Sequence, residues 1–228
     1  MSHFSTLVFS HTPEQVDELL APFNECVNAS SPYGVFEDDS DADVDKTTGR
    51  NGYWRNPNAK WDWYELGGRW RGTLKLIDGK RGEFAPLTKY DDPARNRPGY
   101  CDRALAADID FSRDEDAYQR ALRRWEIMVE GVESTLEEKE DFTLRLYKPE
   151  YYLRRYNNKE FYAEFESGSV PYAYVSEDGV WHCAGRMGWF GCDDVNYENL
   201  RKYVEEFNEY LALAVQQGLL VSMMDLHI

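Results

Sequence analysis

The sequence is short of the groups on which familiar chemistry is built. Its 228 residues contain four histidines and four cysteines, and no Gly-x-Gly-x-x-Gly, Walker, Gly-x-Ser-x-Gly or His-Glu-x-x-His motif. The common dinucleotide, phosphate-loop, serine-hydrolase and zinc-protease frameworks are therefore not signalled, and no cofactor is expected. No run reaches about 18 consecutive apolar residues, and Met1-Ser2-His3-Phe4 lacks the basic-then-apolar order of a secretory leader. The expectation is a soluble cytoplasmic protein with no membrane partner. Cys26, Cys101, Cys183 and Cys192 are widely scattered and read as reduced structural thiols. A metal held by His182, Cys183, Cys192 and Asp193 would need a spacing that fits no strong template, so no metal is expected.

Basic residues are also scarce: 26 Lys and Arg stand against 42 Asp and Glu, a net charge of −16. That balance opposes direct contact with a phosphate backbone over most of the surface. The same acidity suits a partner protein with a basic surface, including one built to hold nucleic acid, because complementary potentials steer association.

Aromatic residues are abundant. They make up 15% of the chain within a hydrophobic total of 42%, too much apolar surface for a disordered polypeptide. Phe4 to Phe9 is rich in β-formers and leads through Thr12-Pro13 into an amphipathic helix that Pro22 ends. Tyr53 to Ile77 reads as a hairpin-rich sheet. Within it Trp61-Asp62-Trp63-Tyr64 alternates like a strand, Gly67-Gly68 breaks it, and Thr73 to Ile77 forms the next strand. Helical patterns begin at Ser112, near Ser134 and after Pro149. Strands return at Val170 to Val175 and Val180 to His182, followed by an amphipathic helix over Asn196 to Val215 with Leu200, Tyr203, Val204, Phe207, Leu211 and Val215 inward. Gly218 stops that helix before a buried final strand, Leu219 to Ile228. The expected fold is α+β, a mixed or antiparallel sheet with packed helices in an α/β sandwich. It spans one interleaved domain over residues 1–228, with a helical middle insertion at about 112–166. The arginines of that insertion read as surface ion pairs.

Three sites stand out. Glu37, Asp38, Asp39, Asp41, Asp43 and Asp45 form an acidic loop suited to a partner protein. It fails as a calcium loop because, counting from Asp39, Val44 and Arg50 stand where an EF-hand needs glycine and glutamate. The aromatic-glycine runs are candidate pocket walls, with Trp61, Trp63, Tyr64, Gly67, Gly68, Arg69 and Trp70 from one and Arg186, Trp189 and Phe190 from the other. Glycine beside tryptophan fits either close packing or an open ligand platform. If the first and last strands pair, His3 nears the C-terminal strand, where Asp225 and His227, counted with the same candidate pocket, project on one face as an acid–base or metal corner. Trp61 and Trp63 are expected to share one strand face, with Asp62 and Tyr64 on the other.

The runs WDWYELGGRW (61–70) and MGWFG (187–191), the terminal Asp225-Leu226-His227-Ile228 and the early Leu20-Ala21-Pro22-Phe23 together resemble a family of proteins encoded by phages, prophages and bacterial genomes. The family carries no assigned chemistry, so the resemblance implies context only: a small acidic accessory protein acting in the host cytoplasm. The expected function is binding and inhibition of a host factor, such as a defence or nucleic-acid-processing protein. The alternative is a small-molecule or nucleotide-binding protein of hydrolase type, using the aromatic-glycine pocket.

Overall fold

The two ends of the chain meet in the centre of one sheet. The computed structural model describes residues 2–89, 92–186 and 194–228. Its elements in chain order are β1 (His3–Ser10), α1 (Gln15–Leu20), β2 (Val35–Asp38), β3 (Gly52–Arg55), β4 (Trp63–Leu66), β5 (Leu74–Lys75), β6 (Tyr100–Cys101), β7 (Arg103–Leu105), α2 (Glu115–Met128), α3 (Pro149–Tyr156), α4 (Lys159–Ser167), β8 (Ala173–Val175), β9 (Trp181–Cys183), α5 (Tyr197–Gln217) and β10 (Leu220–His227). The main sheet runs β4-β10-β1-β8-β9, with β7 following β4 along the same edge of β10. β1 pairs antiparallel with β10 and parallel with β8, so the sheet is mixed and the fold is α+β.

Period-two alternation sorts the core onto two faces. Leu7, Phe9, Val221 and Met223 point into the larger core, under α2 to α5. Phe4, Val8, Met224 and Leu226 point the other way, under Val16 and Leu20 of α1 and against Trp61. α5 is well specified locally. Asn196 caps it by accepting from Glu198 and Asn199 N–H, and Gly218 ends it in the left-handed region at φ 67°. Its buried stripe is Leu200, Tyr203, Phe207 and Ala214, whereas Val215, expected inward, lies about 100° round the helix from Ala214 and is exposed.

The middle of the chain is less helical than its periodicity predicts. α2 begins at Glu115, not Ser112, because Asp114 is the residue whose side chain caps Ala117 N–H. The helix expected from Ser134 is replaced by two short 3-10 turns, Glu138–Glu140 and Phe142–Arg145. The Asp141 carboxylate bonds Thr143 N–H at 2.9 Å, a local bond that competes with continuing a helix. The pattern after Pro149 splits into α3 and α4 at Asn157, which takes φ 65°, and Asn158 caps the second helix. Two of the arginines here form ion pairs, Arg123 with Glu138 and Arg124 with Asp141, while Arg145 donates to the Lys139 carbonyl and Arg154 lies over the Tyr151 ring. The Thr73 to Ile77 strand contracts to Leu74–Lys75, and Val170 to Val175 contracts to Ala173–Val175, with Pro171 unable to donate to a ladder. Cys26, Cys101 and Cys183 are free thiols, and burial pushes the Cys101 thiol up to about 12, too high for a nucleophile. Cys192 and Asp193 lie outside the described residues.

At Met223 the edge of β10 passes from β4 to β7: Gly67 N–H donates to Met223 O, and Met223 N–H donates to Asp102 O. The Asp102 side chain is fully buried there, accepting from Gly72 N–H at 2.7 Å and Ala85 N–H at 3.0 Å, with the Arg71 guanidinium 3.6 Å away. Arg71, also buried, donates onward to Ala85 O, Pro86 O and Asn96 Oδ1. This pair fastens Ala85, Pro86 and Asn96 to the sheet edge. Replacing Asp102 by Ala leaves a buried guanidinium without its counter-charge, so a loss of about 3–5 kcal/mol in denaturant unfolding is expected. A loss below ~1 kcal/mol would show that the pair does not hold the edge.

Candidate functional site

The larger-core face of the sheet changes character along its length. Rows built from Leu7 and Met223 are apolar and buried under the helices. The next row carries Ser5, Asp225 and Glu65, and the last carries His3, His227 and Trp63. Six side chains from three strands thus form a polar end to an otherwise apolar face.

Two imidazoles dominate that end. The rings of His3 and His227 lie with centroids 5.0 Å apart at an interplanar angle of 72°. His3 Nδ1 bonds Asp225 Oδ1 at 2.8 Å, and His227 Nδ1 bonds Asp62 Oδ1 at 2.6 Å. An ionised carboxylate only accepts, so Nδ1 donates in both rings, and in a neutral ring Nε2 then presents the lone pair. The two pairs differ in surroundings. The Asp225 side chain is 1% exposed and that of Asp62 36%, while the imidazoles are similar at 15% and 14%. Among the described residues no group of three His, Cys, Asp or Glu side chains is placed to hold a metal ion.

The Gly-Gly-Arg turn after β4 is shaped by buried carboxylates. Gly67 takes φ 77°, and a Cβ there would stand 2.7 Å from the Asp102 carboxyl; Gly68 takes φ 49°, and a Cβ there would stand 2.5 Å from Asp225. Each glycine packs on one aspartate, which only a residue without a side chain permits. The turn then aims Arg69 N–H at Asp225 Oδ2, 2.8 Å away, so Asp225 is held from both sides. Arg95 donates to Arg69 O at 2.5 Å. A cleft of about 340 Å³ opens alongside, with Trp63, Glu65, Arg69, Arg71, Asp92 and Arg95 in its walls. Trp63 links cleft and imidazoles, its ring meeting that of His3 edge-on at 6.2 Å.

Of the residues expected in one pocket, Trp63, Gly68, Arg69, Asp225 and His227 gather here, with Gly67 in the turn behind. The two tryptophans do not share a face. Trp61 precedes β4, and its backbone bonds Phe23 and Glu25 rather than β10, so the strand's alternation begins only at Trp63. Trp61 is buried against α1 with its indole N–H on Leu20 O at 3.1 Å, whereas Trp63 is 47% exposed. Tyr64 faces the α1 side, donating to Asp17 Oδ1. Burial and that carboxylate push its hydroxyl well above the usual tyrosine range, which keeps it a neutral donor. Trp70 packs on the larger core. Arg186 follows β9 at the opposite edge of the sheet from β4 and bonds Asp194, so it lines no common pocket with Trp63. Trp189 and Phe190 lie outside the described residues.

The acidic loop joins β2 to β3. Glu37 pairs with Arg55, Asp38 with Arg50, Asp39 accepts from Asp41 N–H, and Asp45 accepts from Thr47 and Thr48 N–H. The Thr48 N–H is the largest cause holding the Asp45 carboxyl below its ordinary value. Much of the acidity shapes the hairpin, while Asp41 and Asp43 stand exposed.

Sequence reasoning missed Asp62, Glu65 and Arg95 as site residues. Asp62 gains its role only from the distant His227, and nothing in the polar 91–99 stretch marked Arg95.

No protein-family model matches this chain, and no curated protein or solved structure is significantly similar to it.

The unequal tryptophans give a direct check. Trp61→Ala should cost about 3–5 kcal/mol in denaturant unfolding through cavity formation. Trp63→Ala, at a largely exposed position, should cost less than ~1 kcal/mol. Equal losses would contradict the placement of the two rings.

Proposed function

We propose that the protein is an acid–base enzyme acting on a small molecule, of hydrolase type, with His3 and His227 as its proton-transferring pair. The observation that supports this most is that two imidazoles from opposite ends of the chain stand 5.0 Å apart, each with Nδ1 committed to its own carboxylate. Placing two largely buried imidazoles on carboxylates at a sheet end, one of them the fully buried Asp225, does little for stability that apolar side chains would not do as well. It does orient two Nε2 atoms for work.

The chemistry follows from the tautomers. One neutral imidazole accepts a proton from water at Nε2 as the water oxygen bonds the electrophilic atom of the substrate. The other imidazole, protonated, gives its Nε2 proton to the oxygen that leaves as its bond to that atom breaks. Proton exchange with solvent restores the starting pair. Asp225 and Asp62 fix ring orientation and stabilise each imidazolium as it forms, as second partners of catalytic histidines do.

A second reading has its own support. On the β2–β3 hairpin Val35 and Tyr53 are exposed on one face with Glu37 and Arg55, beside the exposed Asp41 and Asp43. An apolar strip flanked by acids suits docking to a basic protein, the inhibitor role that the family resemblance implies.

A panel of nitrophenyl esters (acetate, phosphate monoester and phosphate diester) separates the two. Wild type should turn over at least one member with a rate that falls on both the acidic and alkaline sides. His3→Gln and His227→Gln should each lower kcat by about 10²-fold or more while the unfolding midpoint holds. Turnover equal to wild type in both variants, or no turnover by wild type, would remove the acid–base reading and leave the docking one.

A further inference from the structure

The cleft beside the imidazoles carries information about what the site would act on. Its walls hold three guanidiniums in a protein whose net charge is −16. Arg71 is already committed to Asp102, Ala85, Pro86 and Asn96. Arg69 and Arg95 are not so committed. Among the described residues the exposed Arg69 guanidinium has no partner, and the Arg95 guanidinium has the Arg69 carbonyl alone. Both side chains therefore stand at one rim, held together by a backbone contact.

We propose that the cleft binds a nucleoside phosphate ester, with Arg69 and Arg95 on the phosphate and the Trp63 ring on the base. Guanidiniums present forked donors that match phosphate oxygens, and Arg69 is fixed at its backbone by Asp225. The Trp63 indole, 47% exposed, offers a face on which a planar base stacks. Glu65 and Asp92, also in the walls, repel anionic oxygens but accept hydrogen from sugar hydroxyls, which places the sugar between phosphate and base.

The choice of phosphorus rests on the acid–base reading of His3 and His227. In a phosphate ester the anionic oxygens and the leaving oxygen share one atom, so arginines and imidazoles serve the same group. A carboxylic ester is uncharged in its ground state and gains only a single oxyanion during attack, so two guanidiniums match a phosphate, which is anionic before the reaction begins, better. In the step itself water adds to phosphorus, its proton goes to one Nε2, the phosphorus–oxygen bond to the leaving alcohol breaks, and that oxygen takes the proton of the other Nε2. The products are the alcohol and a phosphate bearing the new hydroxyl, with no oxidant or reductant required.

Calorimetric titration of the full chain with adenosine 5′-monophosphate, adenosine and inorganic phosphate tests binding apart from turnover. The monophosphate should bind at least about tenfold tighter than adenosine. Arg69→Gln should weaken the monophosphate and inorganic phosphate by about tenfold or more and leave adenosine unchanged. Trp63→Ala should weaken the monophosphate and adenosine by roughly tenfold and leave inorganic phosphate unchanged. His3→Gln should keep monophosphate binding within about threefold, since the imidazoles act on the attacking and leaving oxygens and the arginines hold the anionic ones. Equal binding of adenosine and its monophosphate, or an Arg69→Gln protein that binds the monophosphate as wild type does, would overturn the proposal. Histidine-dependent turnover of the acetate ester without monophosphate binding would also overturn it, while leaving the acid–base pair in place. Monophosphate binding that depends on Arg69 in a protein inert to every ester would support the ligand assignment and remove the acid–base step.

Discussion

The pairing register of β1 against β10 is the constraint on which the rest depends. It places Leu7 against Met223 and His3 against His227 on one face, and Phe4 against Leu226 on the other. A slip of β10 by one residue would exchange its faces, driving Asp225 and His227 toward α1 and away from His3, and turning Leu226 out of its core. The apolar rows that fill both cores therefore also fix the polar end. Core packing and site geometry are one specification here, since the same alternation serves both.

The second constraint is the pair of glycines after β4. Gly67 rests on Asp102, which through Arg71 fastens Ala85, Pro86 and Asn96, and Gly68 rests on Asp225, which orients His3. One turn thus joins a structural carboxylate and a site carboxylate, and Arg69 and Arg95 are delivered to the cleft by the same linkage. Substituting either glycine meets a positive φ and a carboxylate within 3 Å at once, so the turn has no room for adjustment.

What was legible in the sequence was what depends on neighbours along the chain. The β-rich termini, the amphipathic spacing from Asn196 and the Gly218 stop defined β1, β10 and α5 closely, and the alternation of Asp225 and His227 marked an acid–base corner. Features set by distant partners were not legible. Trp61 and Trp63 look equivalent in WDWY, but the Trp61 backbone bonds Phe23 and Glu25 while β4 bonds β10, and no local pattern announces that change of partner. Asp62 acquires its role only when His227 is brought to it across 165 positions. The stretch after Ser134 has helical spacing, yet Asp141 uses its side chain locally and hands the segment to 3-10 turns.

The geometry at the sheet end makes a claim about two protons. If Asp225 and Asp62 each hold an imidazole by its Nδ1, both rings are in the Nδ1–H tautomer when neutral, with Nε2 free to exchange protons with a substrate. Long-range nitrogen–proton correlation NMR of ¹⁵N-labelled protein reads this directly. His3 and His227 should both show a protonated Nδ1 and an acceptor-type Nε2 in their neutral forms, and Asp225→Asn should disturb His3 while leaving His227 as it was. Neutral rings protonated at Nε2 would contradict the paired arrangement and with it the chemistry assigned to the site.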